Sequence, residues 1–232
     1  MRDALRAALL SPVLVPQAAW VMLRAARLPE AAGPRDGVAG QGAALRVLIV
    51  GDSSAAGVGV KTQEDALAGR LAAHLAPYFR VHWRLEARGG ATTASALADL
   101  GWIPRAQFDA AVIALGVNDA KNGMRRARWR RNYSDLAALL RDRFGVERIV
   151  ASGVPPLGVF PLLPRPLRGV LGARAAALDS ELRALVAQDP ALAYVAMAFP
   201  MDRALMAADG FHPAAPLYDL WAGRVAERIR EG

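Results

Sequence analysis

The stretch ALRVLIVGDSSAAGVGV (residues 44–60) joins a largely apolar run to a Gly-Asp-Ser-Ser sequence, which small residues and glycines follow. An apolar run of this kind is typical of a strand that is covered on both faces of a sheet. The polar residues after it indicate either an ordinary turn from a strand into a helix or a turn that presents the Ser53 hydroxyl as a nucleophile. The rest of the chain decides between these two alternatives.

Four further apolar segments beyond residue 43 are predicted to be strands, and helical patterns separate them. The five predicted strands cover residues 44–50, 80–87, 108–116, 146–154 and 192–199. The predicted helices cover residues 64–79, 92–102, 129–144, 168–187 and 217–229. Strands that alternate with helices pair in parallel through right-handed crossovers. The sequence therefore predicts an α/β protein, a three-layer α/β/α sandwich with a five-stranded parallel sheet.

The composition is that of one globular domain. The chain has 232 residues, of which 54% are hydrophobic and 22% are charged, so it can form a substantial core. The absence of cysteine excludes disulfides, catalytic thiolates and cysteine zinc sites. The three histidines are scattered and no acidic cluster has ligand spacing, so the sequence predicts no metal site.

Residues 1–43 are predicted to be an apolar N-terminal segment and a linker that precede a domain over residues 44–232. Seventeen uncharged residues separate Arg6 from Arg24, and Pro12 and Pro16 interrupt them. That length is the lower limit for a membrane span. Three alternatives remain open: an arm packed on the domain, a membrane-associating segment, or a cleaved signal. A cytoplasmic or membrane-associated location is favoured over secretion. Residues 28–43 are rich in glycine, proline and alanine and are predicted to be the linker.

The formal net charge of +8 is concentrated in one region. Residues 121–148 contain nine basic and three acidic residues, and KNGMRRARWRR (residues 121–131) is the most basic stretch. It could face anionic lipid or nucleic-acid phosphates, or it could be a solvated start of a helix. The chain has no recognisable module that reads nucleic acid, so we do not expect a nucleic-acid partner.

Polar residues and glycines follow four of the predicted strands. Ser53 follows the first strand, Gly90 the second and Asn118 the third, and Asp209 and His212 follow the fifth. In parallel sheets, sites form beyond the carboxyl ends of the strands. A serine, a histidine and a carboxylate can act as nucleophile, base and orienting group, while glycine N–H and asparagine amide groups can stabilise an oxyanion.

Each of these residues also has an ordinary structural interpretation. Ser53 could be a helix N-cap, Asn118 an Asx-turn residue and Asp209 a cap before a turn. Their combination at successive strand ends favours the catalytic interpretation. His74 lies within a predicted helix and His82 within a predicted strand, and both are predicted to be structural.

The same segments resemble the sequence blocks of the SGNH hydrolases, also called the GDSL esterase/lipase family. The matching blocks are VGDSSAAGVG (residues 50–59), GGATT (89–93), ALGVNDAKNG (114–123) and DGFHP (209–213). The resemblance implies the flavodoxin-like SGNH hydrolase fold and a triad of Ser53, His212 and Asp209. It also implies an oxyanion hole formed by Ser53, Gly90 and Asn118. Ser54 stands where leucine is usual, and residues 1–43 have no counterpart in the resemblance.

The function expected from the residues and the resemblance is that of a serine esterase that works through an acyl-enzyme without a cofactor. The apolar stretch PPLGVFPLLPRPL (residues 155–167) could line an acyl pocket, touch a membrane, or pack on its own core. With the apolar N-terminus and the basic region, it favours acyl or lipid-like esters, as in an esterase or lysophospholipase. The alternatives are a carbohydrate O-acetylesterase and, in another class, a non-catalytic membrane-associated binding module.

Overall fold

A six-stranded sheet forms the centre of the protein, and its strand order is β1-β3-β2-β4-β5-β6. The computed structural model describes residues 12–21, 23, 28–199 and 202–231. The strands are β1 (Asp36–Ala39), β2 (Ala44–Gly51), β3 (Arg80–Ala87), β4 (Ala110–Ala114), β5 (Arg148–Ser152) and β6 (Leu192–Val195). Strands β2 to β6 pair in parallel, while β1 pairs antiparallel with β3.

Helices cover the two faces of this sheet. They are α1 (12–21), α2 (Leu67–Leu75), α3 (Thr93–Trp102), α4 (Val117–Lys121), α5 (Arg126–Phe144), α6 (Leu167–Val186) and α7 (Ala215–Arg230). Short 3₁₀ turns lie at Leu157–Val159 and Arg203–Leu205. Helices α2 and α7 pack on each other, and α5 packs on both α3 and α6. The predicted three-layer α/β/α sandwich is confirmed.

The sheet has one strand more than the five predicted. The additional strand, β1, lies in the segment that was predicted to be a linker, and Asp36 and Val38 pair with Arg84 and His82 of β3. β1 is only four residues long and is rich in small residues, so neither alternation nor β-propensity marks it. Its backbone provides hydrogen-bond partners for the outer edge of β3, which would otherwise be unpaired.

The core is formed largely by the residues that the apolar runs predicted. Val47, Leu48, Ile49 and Val50 of β2 are fully buried, as expected of a strand between two helical layers. Burying one such side chain contributes about 1.5–3 kcal/mol. Helix ends also follow the sequence: Thr92 caps α3 in a capping box with Ser95, and Gly145 closes α5 in the left-handed conformation.

Helix α1 lies against the start of α6. The Gln17 side chain donates a hydrogen bond to the Arg165 carbonyl (2.6 Å) and accepts one from the Leu167 N–H (3.1 Å). One side of α1 packs against the core, while Val13 and Val15 on the other side are exposed. Among the residues that the structure describes, no helix is both long and apolar enough to cross a membrane. Apart from α1 and Leu23, the segment predicted over residues 1–27 lies outside the described residues.

The basic region at the start of α5 forms several ion pairs with neighbouring carboxylates. Arg126 and Arg130 lie 3.9 and 3.4 Å from Glu181 of α6, and Arg131 lies 3.8 Å from Asp135. These pairs neutralise part of the local positive charge. Arginines in the first turns of a helix otherwise oppose its dipole.

Candidate active site

The structure brings Ser53, His212 and Asp209 together beyond the carboxyl ends of the strands. Ser53 Oγ lies 3.0 Å from His212 Nε2, although the two residues are 159 positions apart in the chain. His212 Nδ1 lies 2.6 Å from Asp209 Oδ2. A hydroxyl, an imidazole and a carboxylate in this order can activate the hydroxyl as a nucleophile.

Asp209 is held by backbone groups of its own loop. Its Oδ1 atom accepts hydrogen bonds from the N–H groups of Phe211 (2.9 Å) and His212 (3.0 Å). Burial alone would raise the pKa of Asp209, but these bonds and the one from the His212 ring outweigh it, so the pKa lies below its ordinary value. Asp209 is therefore a carboxylate over the neutral pH range.

Ser53 lies in a series of turns and not at the start of a helix, which corrects one of the two interpretations of its segment. The Ala56 N–H donates to the Asp52 carbonyl (2.9 Å) and the Val58 N–H to the Ser53 carbonyl (3.0 Å), whereas α2 begins only at Leu67. A regular helix dipole therefore does not act on the Ser53 hydroxyl. Small residues are needed here because a Cβ on Gly51 would lie 2.2 Å from Ala55 Cβ.

Gly90 lies in the turn that follows β3, the strand next to β2. Its φ of +79° is one that glycine adopts readily and other residues rarely do, and a Cβ there would meet no atom within 4 Å. Across residues 28–199 and 202–231, no hydrogen bond is formed by the backbone N–H of Ser53 or of Gly90. Both groups are therefore free to donate to a ligand.

Asn118 lies in the first turn of α4, immediately after β4. Gly116 makes this abrupt turn with a φ of +128°, and a Cβ on it would lie 2.6 Å from Val154 Cγ2. The Asn118 amide donates to the Ala91 carbonyl (2.9 Å), and its oxygen accepts from Lys121 Nζ (3.2 Å). Asn118 thus adjoins the turn that carries Gly90, and the only contact of its second amide N–H is a long one, 3.5 Å from Asn118 Nδ2 to Asp52 Oδ2.

Three charged residues near the site had no assigned role at the level of sequence. The first, Asp52, is buried beside Ser53; its Oδ1 accepts from the Ser54 N–H (3.0 Å), and its Oδ2 lies 3.5 Å from Asn118 Nδ2. Burial raises the pKa of Asp52 to about 6, although the Ser54 hydrogen bond and the charges of His212 and Lys121 lower it. The position of Asp52 directly before Ser53 was the available signal.

Asp119 and Lys121 are the other two. Asp119 Oδ2 accepts from both the N–H and the hydroxyl of Thr93 (3.0 Å each), which ties the start of α3 to α4. Burial raises the pKa of Asp119, against the effect of these bonds. Although Lys121 is exposed as a whole, partial desolvation of its ammonium lowers its pKa, against the attraction of Asp52. Asp119 and Lys121 belong to the sequence block around Asn118, but their contacts depend on the fold.

Aromatic and aliphatic side chains border the site. The Phe211 ring packs edge-on against Phe160 (5.3 Å between centroids) and against the His212 ring (5.2 Å). Beside them is an apolar cavity of about 50 Å³, whose lining includes Met197, Phe199, Met206, Leu217 and Trp221. In the stretch over residues 155–167, Leu157 and Leu163 are buried, Phe160 lines the cavity and Val159 is exposed. This stretch therefore packs on the core and also borders the site.

The predicted structural histidines lie away from this site. His74 Nε2 lies 3.0 Å from Asp219 Oδ1, a contact that joins α2 to α7, while His82 lies in β3 and pairs with β1. Within the described part of the chain, no group of three His, Cys, Asp or Glu side chains could hold a metal ion.

Residues 49–220 match the model of the GDSL-like Lipase/Acylhydrolase family. The chain belongs to this family. Membership confirms the family that the four sequence blocks indicated. A GDSL-like esterase from Mycobacterium tuberculosis is 31% identical over 199 residues, which are 81% of this chain. They are 62% of that relative, so the chain spans less than two thirds of its length.

Several solved structures share the fold of this chain. The crystal structure of TesA has a TM-score of 0.62 and 24% identity, and the match covers 80% of this chain and 98% of TesA. Est24, a carbohydrate acetylesterase from Sinorhizobium meliloti, has a TM-score of 0.58 and 17% identity, over 81% of this chain and 99% of Est24. These likenesses confirm the α/β architecture predicted from the sequence.

Proposed function

We propose that this GDSL-family protein hydrolyses carboxylic esters through Ser53, His212 and Asp209. The observation that carries the proposal is the 3.0 Å contact between Ser53 Oγ and His212 Nε2, with the opposite ring nitrogen 2.6 Å from Asp209. This distance allows direct proton transfer from the hydroxyl to the imidazole.

In the proposed mechanism, Ser53 Oγ attacks the ester carbonyl carbon while His212 Nε2 accepts the hydroxyl proton. The tetrahedral intermediate collapses, its C–O bond to the alcohol breaks, and His212 returns the proton to the departing alcohol. A water molecule then attacks the acyl-enzyme with His212 again as the base, which releases the acid and restores Ser53. Asp209 holds the ring orientation and stabilises the imidazolium.

The negative charge of the tetrahedral intermediate needs hydrogen-bond donors. We assign this role to the N–H groups of Ser53 and Gly90 and to the Asn118 amide. The unpaired state of the two backbone N–H groups supports the assignment, as does the contact of Asn118 with the Gly90 turn. Donors that are already oriented stabilise the charge without further rearrangement.

Paired variants of adjacent serines test the nucleophile. Ser53→Ala should lower kcat for p-nitrophenyl acetate by at least about 1,000-fold, because the residual rate comes from binding and the oxyanion hole alone. Ser54→Ala removes a neighbouring hydroxyl and should leave kcat unchanged. A fluorophosphonate probe should label wild type but not Ser53→Ala. Hydrolysis retained in Ser53→Ala contradicts the mechanism, and an unlabelled, inactive wild type supports a non-catalytic binding module.

For the substrate, we propose acyl esters of a lipid-like kind, met at a membrane surface. Residues 155–167 lie between α1 and the loop that contains Asp209 and His212. Gln17 of α1 forms hydrogen bonds with Arg165 and Leu167. At the other side, the Leu162 N–H donates to the Gly210 carbonyl (3.4 Å). The exposed residues of α1 carry no charge within 12–21. Such a face buries apolar area in a membrane interface, and the positive net charge of the chain favours anionic lipids.

Chain length and vesicle binding test this substrate class. We expect kcat/KM to rise from p-nitrophenyl acetate to the octanoate ester, and the protein to sediment with vesicles of phosphatidylglycerol and phosphatidylcholine. Val15 and Leu23 are exposed apolar residues of the N-terminal segment, so the double variant Val15→Ser, Leu23→Ser should sediment less with vesicles. Val38→Ser changes an exposed valine of β1 and should not reduce sedimentation. No preference beyond acetyl would contradict a lipid-like substrate, and no sedimentation would contradict the membrane surface.

A carbohydrate O-acetylesterase is the second candidate. The observation that favours it is the small cavity beside the site, about 50 Å³, which suits a short acyl group such as acetyl. Est24, which shares the fold, is a carbohydrate acetylesterase. An acetylated oligosaccharide hydrolysed faster than any p-nitrophenyl ester, together with a lack of vesicle binding, would favour this candidate over lipid-like esters.

A further inference from the structure

Glu30 lies outside the family match and inside the predicted linker, yet it contacts the turn that carries Gly90. Its Oε1 atom accepts a hydrogen bond from the Gly89 N–H at 2.7 Å. Its Oε2 atom lies 3.1 Å from Arg35 Nη1, and Arg35 also donates to the carbonyl of Ala87, the last residue of β3. Glu30 and Arg35 together therefore span the point at which the chain leaves β3.

The backbone next to Glu30 is anchored to the loop that follows Ser53. The Ala31 N–H donates to the Ala56 carbonyl (3.2 Å), and the Ala32 N–H donates to the Lys61 carbonyl (2.9 Å). The Gln63 side chain donates to the carbonyls of both Ala31 (3.2 Å) and Ala56 (3.1 Å). Ala31 is buried. These bonds fix the backbone next to Glu30. Its carboxylate therefore links the loop that follows Ser53 to the turn that carries Gly90.

Few interactions within the Gly89–Gly90 turn itself restrain its backbone. Gly89 and Gly90 have no side chains, both are exposed, and the local backbone bond from the Ala91 N–H to the Arg88 carbonyl is 3.2 Å long. Consecutive glycines have the largest backbone freedom of any residue pair. A hydrogen bond to the Gly89 N–H fixes the plane of one peptide and limits the rotation of the next one, which carries the Gly90 N–H.

We propose that Glu30, held by Arg35, is a positioning residue that aims the Gly90 N–H at the oxyanion. The inference rests on the proposed function. Losing an oxyanion donor altogether costs about 100- to 1,000-fold in kcat, so losing only its alignment should cost about tenfold. The loss should appear in kcat with little change in KM, because the full negative charge exists in the transition state and not in the bound ester.

The test compares Glu30→Ala, Glu30→Gln and Arg35→Met with a matched control at the other end of the sheet. Asp109 makes the same kinds of bond as Glu30: it accepts from the Arg46 N–H (2.7 Å) and lies 3.2 Å from Arg46 Nη2. On p-nitrophenyl acetate, Glu30→Ala should lower kcat about tenfold. Glu30→Gln keeps an acceptor for the Gly89 N–H and should recover most of the activity. Arg35→Met should give a smaller loss, and Asp109→Ala none.

Amide hydrogen exchange supplies a direct readout of the turn. The Gly89 amide should exchange faster in Glu30→Ala than in wild type and at the wild-type rate in Asp109→Ala. A wild-type kcat or unchanged Gly89 exchange in Glu30→Ala would overturn the inference. If Glu30→Ala does not fold, a wild-type kcat together with unchanged Gly89 exchange in Arg35→Met would overturn it. Failure of the proposed function is seen separately, as activity retained in Ser53→Ala.

Discussion

The two halves of the site are held in place differently. Asp209 and His212 lie three residues apart in one loop, and the atoms proposed to react contact each other directly. Gly90 and Asn118 are held by groups outside the proposed reaction: Glu30 bonds to the turn, and Lys121 bonds to the amide. We therefore expect substitutions in the first half to abolish activity and substitutions around the second half to reduce it by degrees.

The largest effect expected within this comparison is that of Asp209→Asn. An amide in place of the carboxylate no longer stabilises the imidazolium and can favour the wrong ring tautomer, so kcat should fall by about 10,000-fold. Asp202→Asn is the control, because Asp202 Oδ1 also accepts a backbone N–H, that of Ala204 (3.2 Å). Steady-state kinetics on p-nitrophenyl acetate measure the change. A loss below tenfold would show that Asp209 is not the orienting group.

On the oxyanion side, Asn118→Ala should lower kcat by about 100- to 1,000-fold because one donor is lost. The nucleophile and base remain, so a fluorophosphonate should still label Ser53, although more slowly. Asn122→Ala, an exposed change at the end of α4, should have no effect. If turnover is unchanged in Asn118→Ala, this amide does not contact the oxyanion.

A smaller effect is expected for Lys121→Met, which removes the ammonium that donates to the Asn118 amide oxygen. The amide keeps its bond to the Ala91 carbonyl, so its orientation is weakened and not lost. We expect kcat to fall about threefold to tenfold, a fraction of the loss of a whole donor. The other lysine of the chain, Lys61, is exposed, and Lys61→Met serves as the control. A loss as large as that of Asn118→Ala would mean that Lys121 itself contacts the oxyanion.

The last expected effect is on stability and not on activity, and it contrasts two buried carboxylates. Hydrogen bonds lower the pKa of Asp209, whereas burial raises that of Asp52 to about 6. The folded state therefore holds the Asp52 proton more tightly than the unfolded chain does. Stability from this group is present below pH 4 and is lost as the pH rises through 6, by up to about 3 kcal/mol.

Asp52→Asn removes this titration but keeps an oxygen that can accept from the Ser54 N–H. The Tm of Asp52→Asn minus that of wild type should therefore be larger at pH 7 than at pH 4, by up to about 6–12 °C. Thermal unfolding followed by circular dichroism at both pH values measures the difference, and Asp36→Asn on β1 is the control. A Tm difference that does not depend on pH would contradict the raised pKa of Asp52.

The sequence by itself determined the strands β2 to β6, their parallel pairing and the candidate residues at their ends. The composition of apolar runs such as residues 44–50 is enough to predict that they are buried. The short blocks around Ser53, Asn118 and His212 each lie within one continuous segment. Local patterns of this kind depend on neighbours in the chain, so they can be recognised before the fold is known.

Only the tertiary structure decided the role of the segment before residue 44. β1 is stabilised by pairing with the outer edge of β3. Glu30 contacts Gly89, which is 59 positions away in the chain. The pKa of Asp52 likewise depends on atoms brought from distant segments. Such contacts leave no periodicity in the sequence, because their energy comes from pairing and burial that exist only after the chain has folded.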